Sequence, residues 1–156
     1  MIHRGIATLA MGLVVCFLLL SHFDSQFFLI HIYESFIYLA IILMLFYFED
    51  RWAYTLGIVA PAGWILLAFI TGGFGEFWRQ MTRVLFLFEA PDYTATYLGE
   101  ITAVLSLAMI AFCTYQWKRQ FSGQRKGFAT FLVSLGIVVV YYGVMVLWLW
   151  RSTRAG

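Results

Sequence analysis

His31, Glu34, Ser35 and Tyr38 recur at i, i+3, i+4 and i+7 within the apolar stretch FFLIHIYESFIYLAIILMLFYFEDR, residues 27 to 51. On a helix, that spacing puts an imidazole, a carboxylate and two hydroxyls along one side. Ionisable groups in so apolar a segment are costly, face the interior of a bundle and mark a site by default. His22 and Asp24 precede this stripe, and Glu100 stands near the start of a later apolar segment. Such groups permit three kinds of chemistry. They tie helices together with hydrogen bonds of about 1 kcal/mol each. They hold a haem, a chlorophyll-type pigment or a metal, with His22 and His31 as cofactor ligands and His31, Glu34 and Glu100 as metal ligands. Or Glu34 and Glu100, as facing carboxylates, share a proton and conduct protons or cations.

Each reading has a limit. The H-x-x-E order of His31 and Glu34 reverses the E-x-x-H of di-iron bundles and has no second copy. Conduction needs polar groups across the whole bilayer, yet the second segment is apolar between Tyr38 and Tyr47, and the far half of the fourth offers only Cys113, Thr114 and Gln116. Soluble-enzyme chemistry finds no G-x-S-x-G, no phosphate loop and no H-E-x-x-H. TGGFG at 71–75 lacks a lysine to meet a phosphate. The sequence therefore predicts no catalytic residue and no enzyme acting by itself.

The elements that must position these groups follow from composition. The chain is 63% hydrophobic and only 12% charged, where soluble proteins carry roughly a quarter charged residues. That predicts an integral membrane protein, with the lipid bilayer as its first partner. At about 20 residues per crossing, 156 residues hold one domain and no separate soluble one. The expected fold is an all-α, polytopic membrane helix bundle over residues 1–156. Five transmembrane spans are expected at 5–23, 27–48, 52–70, 95–117 and 128–150, with one interfacial amphipathic helix at 75–89. In that last segment Phe77, Trp78, Met81, Val84, Leu85 and Phe88 recur at helical spacing opposite Glu76, Arg79, Gln80 and Arg83.

The first span resembles a signal peptide in its basic start, but LLLSHF offers no small-residue cleavage site, so it reads as an uncleaved span. Gly5, Thr8, Gly12 and Cys16 give it a small-residue face for close packing. The links at 24–26 and 49–51 are short enough to make antiparallel hairpins. Pro61 predicts a kink. Thr96, Gly99, Glu100, Ala103 and Ser106 read as one face, which would turn Glu100 into the bundle. Cys16 and Cys113 fall in separate segments without ligand spacing and read as small packing residues.

Orientation rests on the basic residues. Arg4, Arg51, Lys118, Arg119, Arg125 and Lys126 fall on one side, against Arg79, Arg83, Arg151 and Arg154 on the other, which predicts a cytoplasmic N-terminus. This topology brings His22, Asp24, His31, Glu34 and Glu100 to one level at the outer face. It also accounts for the basic residues, so no nucleic acid partner is expected. Trp52, Trp78, Tyr93, Tyr97, Trp117, Trp148 and Trp150 all fall near predicted membrane boundaries. With no extramembrane domain and a polar cluster reaching halfway, the expected role is that of an accessory or structural subunit, with other membrane subunits as partners. The alternatives are a redox or pigment-binding subunit with its site at the outer face, and a proton- or cation-conducting subunit using Glu34 and Glu100.

Overall fold

Apolar sequence leaves the backbone no water to bond with, so its amides and carbonyls must satisfy one another within each segment, and the helix does this locally. The computed structural model describes residues 2–48, 50–71, 75, 79, 82–84, 86–87, 94–121 and 125–154, and no strand occurs among them. The long helices are α1 (Ile2–Phe23), α2 (Phe28–Tyr47), α3 (Asp50–Ile70), α4 (Thr94–Phe121) and α5 (Arg125–Arg154). All five are long and apolar enough to cross a membrane. All but α2 overrun the expected spans, α4 and α5 most of all, because helical hydrogen bonding continues past the apolar segment into polar turns. At about 1.5 Å per residue, the 28 residues of α4 reach roughly 42 Å, beyond a hydrocarbon core of about 30 Å.

A single turn of 3-10 helix, Ser25–Phe27, joins α1 to α2, closed by the Phe27 amide bonding to the Asp24 carbonyl at 3.1 Å. Phe48, in extended conformation, ends α2 before α3 begins. The amphipathic helix expected at 75–89 lies largely outside the described residues. Of that segment Gly75, Arg79, 82–84, Phe86 and Leu87 have helical backbone, and Phe86 and Leu87 are exposed.

Helices α1 to α4 close a ring in which each touches the next and α4 returns to α1. The small residues of α1 set one seam: a Cβ on Gly5 would meet Phe112 at 3.5 Å, and one on Gly12 would meet Leu105 at 3.4 Å. Close approach along that seam is with α4, while Thr8 is exposed and bonds back to the Arg4 carbonyl. Opposite it, α3 meets α4 at Gly57, where an added Cβ would lie 2.6 Å from Cys113 Sγ. Both cysteines are free and buried, and the pairings run antiparallel around the ring.

Helix α5 stands outside the ring, parallel to α3 and seated on it by the stripe Thr130, Ser134, Val138, Tyr142 and Met145. Thr55 and Ser134 hydroxyls bond at 2.8 Å, and the Tyr142 hydroxyl donates to the Ala60 carbonyl at 3.1 Å. Only 22% of the α5 span is buried, against 39% to 44% for the others. Helix α3 runs unbroken through the buried Pro61, at the expected kink. The close seats at Gly57 and Gly63 hold it on either side of the missing amide.

Candidate functional site

The turn after α1 and the first two turns of α2 bring the polar stripe to one end of the ring. Glu34 is 5% exposed, and both of its carboxylate oxygens are used. His31 Nδ1 lies 2.9 Å from Glu34 Oε2, and Trp64 Nε1 of α3 donates to Oε1 at 3.1 Å. On the other side of the imidazole, His31 Nε2 lies 3.7 Å from Asp24 Oδ2 and has no hydrogen-bond partner. The imidazole therefore stands between two carboxylates, hydrogen-bonded to Glu34 through Nδ1 and facing Asp24 through Nε2.

Around this cluster the bundle is aromatic. Phe17 of α1 stacks on Tyr38 at 5.5 Å and meets the Trp64 ring edge-on at 5.7 Å, so α1, α2 and α3 converge at the level of the carboxylate. Tyr33 and Tyr141 stack at 4.3 Å and bond reciprocally: the Tyr33 hydroxyl donates to the Tyr141 carbonyl, and the Tyr141 hydroxyl donates to the Tyr33 carbonyl. This pair attaches α5 to α2. Inward of Glu34 the hydroxyls of Tyr38 and Ser106 are wholly buried and have no hydrogen-bond partner of good geometry. The Tyr142 hydroxyl faces that of Tyr38.

No known protein family, curated protein or solved structure matches this chain. What the site does must come from its own geometry.

The residues singled out from the sequence are placed as follows. His31 and Glu34 are in direct contact and Asp24 adjoins them. Ser35 is buried but turns back to the Ile32 carbonyl of its own helix. His22 is exposed with its ring edge-on to Phe23 at 5.2 Å, so it shares no neighbour with His31. Glu100 is 4% exposed, and its Oε1 has no hydrogen-bond partner. It is buried, as expected of a carboxyl turned into the bundle. At about 100° per residue it lies on the opposite side of α4 from buried Met109, in line with Val104 and Leu107, which are both more than half exposed. Among the described residues no three His, Cys, Asp or Glu side chains come together as a metal-ligand set, so His31, Glu34 and Glu100 are not gathered into one.

Trp64 and Ser106 are the site members that sequence reasoning missed. A signal for Trp64 existed. It is the tryptophan farthest from any predicted boundary, and an indole N–H buried in an apolar segment requires an acceptor.

Proposed function

We propose that this chain is an integral membrane protein serving as an accessory or structural subunit of a larger membrane complex, with α5 as its docking helix and its N-terminus in the cytoplasm. The observation that carries this reading is where α5 spends its glycines. Glycine in a helix costs up to about 1 kcal/mol relative to alanine unless close packing compensates. Gly57 and Gly63 of α3 are compensated within the chain, by Cys113 and by Tyr142 and Val138. Gly136 and Gly143 of α5 are not, because nothing lies within 4 Å of a Cβ built on either.

At about 100° per residue, Ala129, Gly136 and Gly143 sit some 140° to 180° around α5 from buried Val138. They form a small-residue line at heptad spacing on the side turned away from the ring. Heptad spacing of small residues suits close left-handed packing by a further helix. The polar cluster is consistent with this role, since Glu34 is closed over by its own donors rather than open to a substrate.

The double variant Gly136→Leu/Gly143→Leu tests the reading, because it fills the outward face and keeps the side chains that bond α5 to α3, Ser134 and Tyr142. Extracted from its own membranes in mild detergent, the wild-type protein is expected to run with other subunits at fixed stoichiometry. The variant is expected to run as a free 18.0 kDa chain in its micelle with unchanged helicity. Wild-type protein running alone, or a variant that keeps its partners, would reject the docking role. Orientation is checked by a cysteine at Gly123, expected to be labelled from the cytoplasmic side alone.

A further inference from the structure

The Asp24–His31–Glu34 line has one end in contact with solvent and the other among buried hydroxyls. The Asp24 side chain is 32% exposed, that of His31 17% and that of Glu34 6%, a steady decline along the line. His31 Nε2 has no hydrogen-bond partner and lies 3.7 Å from Asp24 Oδ2. At the inner end, Tyr38 and Ser106 are buried completely, and the Tyr38 hydroxyl faces those of Ser106 and Tyr142.

One helical turn further in, the polar line is closed. Leu13 of α1, Ile41 of α2, Leu56 of α3 and Met109 of α4 are all buried there, in the hydrophobic core. The next polar pair beyond it, Thr55 and Ser134, is satisfied by its own mutual bond.

We propose that Asp24, His31 and Glu34 form a proton-exchange site that communicates with only one side of the membrane, the side carrying the α1–α2 turn. A water on that side protonates Asp24, whose Oδ2–H passes its proton to His31 Nε2, through a bridging water where the gap is 3.7 Å. His31 releases the Nδ1 proton to Glu34 Oε2, 2.9 Å away. The imidazole is left neutral with its proton on Nε2, Asp24 is again a carboxylate, and Glu34 is neutral. Reversal resets the line, and no electron moves. The groups facing Glu34 are His31 and Tyr38 of α2, Asp24 of the turn, Trp64 of α3, and Tyr141 and Tyr142 of α5, while α1 presents Phe17 and α4 presents Ser106. None of them is a lysine or arginine.

The proposal rests on the membrane placement proposed above and is independent of docking through α5. Its test uses the full chain in sealed liposomes, with orientation read from a cysteine at the exposed Gln26 labelled by an impermeant reagent. The infrared carboxylic-acid band that disappears in Glu34→Gln reports the proton on Glu34. Over about pH 4 to 9 that band is expected to follow the pH on the Gln26 side and ignore the other compartment. Asp24→Asn, at a partly exposed position, is expected to slow its hydrogen–deuterium exchange on the order of 10²-fold while circular dichroism stays unchanged.

A Glu34 band that follows the opposite compartment, or both, overturns the proposal, and so does the absence of any band removed by Glu34→Gln. Exchange as fast in Asp24→Asn as in wild type removes Asp24 from the line and overturns the relay. Protein that fails to float with the liposomes would instead reject the membrane placement, and the proposal with it.

Discussion

Replacing Glu34 with alanine is expected to destabilise the folded bundle by about 2–3 kcal/mol, the largest loss for any single polar side chain here. The carboxylate accepts from His31 on its own helix and from Trp64 on α3, so its removal leaves two donors without their acceptor in a buried site. Interhelical bonds in membranes contribute roughly 0.6 to 2 kcal/mol each, and a buried donor without a partner adds its own desolvation cost. Glu34→Gln keeps the shape and one carbonyl acceptor, which suits Trp64, and is expected to lose about 1 kcal/mol. Unfolding in mixed micelles, followed by tryptophan fluorescence, measures both, and Trp64 is itself a reporter. If Glu34→Ala unfolds at the same denaturant fraction as wild type, the clamp between α2 and α3 contributes nothing to stability.

Gly57→Ala is expected to cost a similar amount, about 1–3 kcal/mol, although it adds a single methyl group. The methyl carbon would arrive 2.6 Å from Cys113 Sγ and 3.2 Å from Met109 Cε. The methionine end is flexible and can move aside. The sulfur of Cys113, one bond from a buried Cβ, cannot retreat without separating α3 from α4. Cys113→Ala removes the obstructing atom, so the double variant Gly57→Ala/Cys113→Ala is expected to recover at least half of the loss. Recovery of that size in a double-mutant cycle identifies the contact as the cause. Strict additivity would mean that the two helices do not meet at this point.

Much of the framework was legible in the residues. Five apolar segments, two minimal links and a small-residue face on α1 each produce a consequence that the fold repeats. His31 and Glu34 could be paired from spacing alone, because i and i+3 are neighbours on any helix. The site was less legible where it depends on two elements. Glu100 and Ser106 read as one face, yet an offset of six residues turns a helix by about 240°, and the fold buries them on different sides of α4. His22, two residues before Asp24 in the sequence, is exposed instead.

By itself, the sequence determined the all-helical class, the approximate segments and the imidazole–carboxylate pair, because these follow from composition and from periodicity within one helix. The tertiary structure alone decided that Trp64 would close over Glu34, that α5 would stand outside a ring of four, and that the polar line would end against the apolar core of that ring. Such facts depend on which helices become neighbours and at what register. In an apolar chain nearly every face can be buried against any other, so close seats such as Gly57 on Cys113 make the choice, and these exist only once both helices are in place.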